Sequence, residues 1–162
     1  MRTHAAIESQ AFTARFFEHT DSSAVIETLD FLPVLYPSGV SWLRKTLREI
    51  SIGDANCVVI THNEELIAIA VGKPKSSMRY KVSTLYVKPE YRSRGLGDLL
   101  MRHMHSCASN SGARTIYITA AHTVAPLVER VAISNAMTCV VTQLNRYGQG
   151  RHETVFEGQV SP

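Results

Sequence analysis

The sequence predicts an α+β (mixed α/β) fold, and three observations predict it. Three strand-like runs follow one another between Asn56 and Val87. After Pro89, single amphipathic helices alternate with short apolar strands. The composition is that of a globular chain, 44% apolar and 19% charged over 162 residues, which excludes disorder and collagen-like repeats. The element order is β-α-α-β-β-β-α-β-α-β-β, which suits an α+β or mixed-sheet sandwich. The length fits one domain, residues 1–162, able to bury a core without disulfides or metal.

The elements follow in order. Ala11–Glu18 alternates and reads as a strand. Asp21 or Ser22 caps a helix through Leu29 to Leu32, where Pro33 stops it. Pro37–Ser38 opens a second helix to about Ile50, ended near Gly53, with Val40, Leu43, Leu47 and Ile50 at helical spacing. Asn56–His62, Glu65–Gly72 and Met78–Val87 form an antiparallel meander, broken at Asn63-Glu64 and Lys73–Ser77. Leu96, Leu99, Leu100, Met104 and Cys107 mark a helix ending near Asn110–Gly112. Thr115–Ala120 is a strand, and Thr123–Ile133 is a helix with Pro126 in its first turn. Ala136–Leu144 and Glu153–Phe156 are strands joined through Tyr147-Gly148-Gln149-Gly150.

Charge and cysteines exclude several classes. The net charge is +3, from 17 Lys+Arg against 14 Asp+Glu, so an anionic ligand is allowed and a nucleic-acid partner is disfavoured. No apolar run approaches the ~18 residues of a membrane span, and residues 1–7 lack the apolar stretch of a signal peptide. Cys57, Cys107 and Cys139 are odd in number and widely spaced, which points to three buried thiols in a reducing cytoplasm and to no zinc site. His103 and His105 stand at i, i+2 and do not share a helix face, so no metal is expected there.

The chemistry is carried by Leu85-Tyr86-Val87-Lys88-Pro89-Glu90-Tyr91-Arg92-Ser93-Arg94-Gly95-Leu96-Gly97-Asp98-Leu99-Leu100. A strand ends, a basic loop follows, and two glycines open a helix. Unpaired N–H groups and the positive dipole end of a first helical turn favour an anion, and glycine lets it approach the backbone. A Walker A loop would need Gly-Lys-Ser/Thr, which is absent, and the Rossmann fingerprint fails because Leu100 stands at its third glycine. What remains is Arg-x-x-Gly-x-Gly at Arg92, Gly95 and Gly97.

That run resembles the acetyl-CoA motif of the GNAT superfamily of N-acetyltransferases, as does the preceding Leu85, Val87, Pro89, Tyr91 and Arg92. The resemblance implies a central, mostly antiparallel mixed sheet flanked by helices on both faces. It implies that the backbone of Leu85, Tyr86 and Val87 holds the pantetheine arm. The amides of Arg92, Ser93, Arg94, Gly95, Leu96 and Gly97, with Asp98 in the helix they open, would hold the pyrophosphate. A backbone N–H near Val87 would stabilise the oxyanion of the tetrahedral intermediate.

The chain also departs from the family. Lys81 stands where many members carry a glutamate base, and no tyrosine lies between Thr123 and Met137 to protonate the leaving thiolate. A thiol of pKa ~8.5 leaves without much help, so the missing base matters more. His122, after the strand Thr115–Ala120, is the candidate for that base. Trp42 is either a core anchor or part of the substrate pocket, and Tyr80 is either packed or in contact with substrate. Arg146–Arg151 is either a solvated turn or a site of acceptor recognition or dimer contact.

The resemblance implies a cytoplasmic enzyme that moves an acetyl group from acetyl-CoA to a small-molecule or peptide amine. The amine attacks directly in a ternary complex, without a membrane partner; a homodimer is compatible. Two alternatives stay open: an aminoacyl-tRNA or nucleic-acid amine as acceptor, and a non-catalytic acyl-CoA sensor.

Overall fold

A computed structural model describes residues 11–36 and 38–161; the expectations for residues 1–7 and Pro37 lie outside these. The strands are β1 (Thr13–Phe16), β2 (Asn56–His62), β3 (Glu65–Pro74), β4 (Arg79–Val87), β5 (Thr115–Ala121), β6 (Thr138–Gln143) and β7 (Glu153–Gln159). The helices are α1 (Ser22–Thr28), α2 (Leu32–Leu35), α3 (Gly39–Ser51), α4 (Leu96–Asn110) and α5 (Ala125–Ser134). The strands form one sheet in the order β1-β2-β3-β4-β5-β7-β6, antiparallel throughout except between β4 and β5.

Helices cover both faces, as expected for a mixed α+β sheet. Strand β3 shows why the sequence folds this way. Leu66–Val71 is a continuous apolar run because both of its faces are covered. Ala68 and Ala70 belong to the core under α4, whereas Leu66, Ile69 and Val71 belong to the core under α1–α3. Helix α4 buries Leu96, Leu100, Met101, Met104, Cys107 and Ala108, a stripe at helical spacing that faces the sheet. The β2–β3 turn is tight although it lacks glycine; Asn63 and Glu64 both take positive φ, at 48° and 66°.

Several expectations are corrected. Strand β1 spans only Thr13–Phe16, the stretch that pairs with Thr61–Val58. Pro33 does not stop a helix. Helix α1 ends at Thr28, and Pro33 lies in the first turn of α2, where its missing N–H leaves nothing unpaired. On α3, Val40 is 52% exposed and Thr46 is buried instead. Strand β7 runs past Phe156 to Gln159 because it pairs with the whole of β5. Cys57 and Cys107 are buried, but Cys139 on β6 is exposed.

A partly buried ion pair stands at the start of the α1–α3 layer. Arg15 donates to both Asp21 carboxylate oxygens at 2.7 and 2.8 Å, and Asp21 also accepts from the Glu18 N–H at 2.8 Å. No helix among the described residues is long and apolar enough to cross a membrane.

Candidate functional site

Strands β4 and β5 pair only from Arg79–Thr115 to Val82–Ile118 and then separate. At that point Thr84 stands opposite Val71 and Val82 opposite Gly72, so Ser83 is an extra residue in β4. Such a bulge bends its strand and turns it out of regular pairing. Beyond it, Lys88 N–H bonds to Ile67 O on β3. Alternation along the strand then directs the N–H and C=O of Leu85 and Val87 away from β3, toward the opened edge. Exposed strand-edge groups of this kind pair readily with an extended amide chain.

The opening is the mouth of a groove of about 700 Å³. Ser83–Val87 form one side and Ile118–Ala120 the other; Val128 of α5 and Tyr36, the residue after α2, also line it. Its far end is the loop before α4. There Ser93 and Gly95 both adopt left-handed φ, at 60° and 76°, and the chain enters α4 directly after Gly95. Consecutive N–H groups in such a loop turn inward and suit an anion. A β-carbon at Gly95 would meet nothing within 4 Å, so the space over this loop is open. Arg92 Nε donates to Val87 O at 3.0 Å, which holds its guanidinium beside the end of β4. Asp98 is the local counter-charge, and its carboxylate is occupied by Ser134 Oγ and Asn135 Nδ2 on α5.

Of the residues singled out in the sequence, Leu85, Tyr86, Val87, Arg92, Ser93, Gly95, Leu96, Gly97 and Asp98 line this groove. Arg94 does not; its guanidinium lies against the Tyr91 ring and Glu90 O. Leu96 contributes backbone only, since its side chain is buried in the core. Of the two readings of Tyr80, the packed one matches the structure. Tyr80 is fully buried, and its hydroxyl donates to Asn56 Oδ1 at 2.9 Å. Trp42 packs against the core under α1–α3 and is not in the groove wall. His122 is exposed and outside the wall, with its ring centroid 6.2 Å from that of His152.

A group missed in the sequence is buried behind the groove wall, beside the β5 strand whose Thr119 and Ala120 line it. Glu153, the first residue of β7, is 2% exposed, and its Oε2 has no hydrogen-bond partner. It lies opposite Ala121 of β5 and Gln143 of β6. Tyr36, Lys81 and Arg146 are the titratable and charged groups near enough to influence it. Burial raises the Glu153 pKa above the usual 4.5, while Tyr36, Lys81 and Arg146 oppose that shift. Burial, together with Lys75 and Arg146, lowers that of Lys81. The walls are tied together: Arg151 Nη1 donates to Leu35 O at 2.9 Å, and the Tyr36 and Tyr147 rings meet edge-on at 5.3 Å.

The comparisons agree with this geometry. The family model described as "Acetyltransferase (GNAT) domain" matches residues 53–131, from β2 into α5. A comparison with curated protein sequences found no match. Among solved structures, aminoglycoside 6′-N-acetyltransferase from Enterococcus faecium has a TM-score of 0.72 at 14% identity, covering 93% of this chain and 98% of that one. NAA60 of Arabidopsis thaliana, in complex with a bisubstrate analogue, has a TM-score of 0.74 at 19% identity, covering 92% and 98%. A GNAT-family acetyltransferase from Elizabethkingia anophelis with acetyl-CoA bound has a TM-score of 0.67 at 10% identity, covering 91% and 97%. Residues 53–131 thus match the GNAT acetyltransferase domain, and nearly the whole chain shares the fold of these solved structures.

Proposed function

We propose that the protein transfers an acetyl group from acetyl-CoA to the nitrogen of a small-molecule or peptide amine. The observation that carries this reading is the parting of β4 from β5 beyond Val82–Ile118, beside the N-terminus of α4. The open edge at Leu85 and Val87 pairs with the amides of the pantetheine arm. The Arg92–Gly97 loop and the first turn of α4 hold the pyrophosphate, with the Arg92 cation beside it. The arm then points its thioester toward Tyr36, which lines the groove. A backbone N–H of the β4 edge stabilises the oxyanion when the amine attacks. The attack is direct, in a ternary complex. Cys57 and Cys107 are buried, and burial raises the Cys57 pKa to about 12, so neither is a ready nucleophile.

The experiment is acetyl-CoA turnover across a panel of amines, scored by thiol release and by mass of the product, beside calorimetric titration of acetyl-CoA. Micromolar binding with amine-dependent thiol release is expected. Binding without turnover on any amine would make the protein a sensor, and absence of binding would remove the cofactor.

A further inference from the structure

We propose that Glu153 is the proton acceptor for the attacking amine, within the acetyl transfer proposed above and resting on it. The position of the base along β4 is occupied by Lys81, so the proton needs another destination. Glu153 is placed to receive it. Tyr36 both lines the groove and neighbours the Glu153 carboxyl. Thr119 and Ala120 line the groove one step before Ala121, the β5 partner of Glu153. Glu153 therefore stands one residue step from the groove wall formed by Thr119 and Ala120.

A carboxylate left with an orphan oxygen in a buried place is costly to keep. Oε2 of Glu153 is such an atom, and an ammonium donor satisfies it. The charged and titratable groups around it are Tyr36 beside α2, Lys81 on β4 and Arg146 in the β6–β7 loop. Strands β5 and β6 face it with Ala121 and Gln143, neither of which titrates. Burial raises the carboxyl's pKa in the direction a base near neutral pH needs, and Tyr36, Lys81 and Arg146 oppose that shift.

The ammonium gives one proton to the Glu153 carboxylate. The freed lone pair forms the C–N bond to the acetyl carbon. The C–S bond breaks, and its electron pair leaves on sulfur. The thiolate takes the second proton from nitrogen, and Glu153 returns its proton to water.

The test is the pH dependence of kcat/KM for Glu153→Gln and Lys81→Met against the wild type, with acetyl-CoA affinity and Tm measured on the same samples. Glu153→Gln is expected to lower kcat by roughly 10²–10⁴, to lose the acidic limb and to keep acetyl-CoA affinity. Lys81→Met removes a cation that favours the carboxylate, so the acidic limb moves to higher pH. A folded Glu153→Gln protein within threefold of wild type, with its acidic limb in place, overturns the assignment. So does loss of activity accompanied by loss of acetyl-CoA affinity. A wild type that binds acetyl-CoA but acetylates no amine overturns the acetyl-transfer reading instead.

Discussion

A β-carbon placed on Gly97 would lie 2.9 Å from Val131 Cγ2, so this glycine is where α4 and α5 touch. Gly95, two residues earlier, faces open space at φ +76°. The two glycines of the motif therefore do different things: Gly97 admits a helix and Gly95 shapes the loop. Gly97→Ala is expected to destabilise the fold by about 1–3 kcal/mol through overpacking, measured by urea denaturation. Gly95→Glu puts a carboxylate over the loop without a clash, at a backbone strain of about 1–2 kcal/mol. Its acetyl-CoA affinity should fall at least tenfold in a protein that still unfolds cooperatively. Unchanged affinity in that variant removes the loop from pyrophosphate binding.

The Arg15–Asp21 pair gives a prediction that does not touch catalysis. Its two hydrogen bonds lower the Asp21 pKa below the usual 3.8, with the Arg15 bond the largest cause. An acid whose pKa is depressed in the fold stabilises it above its unfolded pKa and ceases to do so as pH falls through the folded value. Asp21→Asn should therefore cost about 1–3 kcal/mol at pH 7, between the values for exposed and buried pairs. The gap to wild type should close below pH 3.8, as Asp21 itself takes up its proton. Denaturant titrations at pH 7 and pH 3 measure both ends; an equal gap at both would show that the ionised carboxylate is not what matters.

Glu153 should show the opposite sign. Its folded pKa is raised above 4.5 by burial, so the native state holds a proton that the unfolded chain has already released. Stability from this group is complete below the unfolded pKa and is lost as pH rises through the folded value. Glu153→Gln mimics the protonated form. Its Tm should match wild type near pH 4 and exceed it at pH 8, as a thermal scan across that range would reveal. A lower Tm at pH 8 would mark the charged carboxyl as a structural tie for Lys81 and Arg146.

Local chemistry made most of the sheet legible. The meander of β2, β3 and β4 is bounded by Asn63-Glu64 and by the Lys/Pro/Ser stretch, and α4 carries its stripe in consecutive turns. The Arg92–Gly97 loop was legible for the same reason, because a strand, a turn and a helix N-terminus are contiguous. Pro33 misled because a proline suits the first turn of a helix as well as the position after one. Tyr80 and Trp42 were ambiguous because large aromatic side chains serve cores and pockets alike. Glu153 gave no local signal. It begins a strand, where a polar residue is ordinary, and the groups that act on its carboxyl, Tyr36 and Lys81, are far away in sequence. The Ser83 bulge was equally silent, since it exists only relative to β3.

The acceptor should be an amine of low pKa. Only a neutral amine attacks a thioester. A lysine-like amine of pKa ~10.4 is neutral in about one molecule in 2,500 at pH 7, and holding it neutral costs roughly 4–5 kcal/mol. An α-amine of pKa ~7.7–8.0 costs only about 1 kcal/mol. A single carboxylate offsets little of the larger sum, because its own pKa remains far below that of lysine. Lys81 and Arg146 put positive charge near the Glu153 carboxyl, and cations near the amine disfavour its ammonium form. Both effects favour α-amines, aryl amines and amino-sugar amines over polyamines and lysine side chains. The measurement is kcat/KM at pH 7 for an α-amine and an ε-amine on the same small scaffold. The α-amine should lead by at least tenfold, and the lead should shrink as pH rises toward 9, because the ε-amine gains neutral form faster. An ε-amine that wins tenfold at pH 7 would mean that a stronger base than Glu153 serves the site.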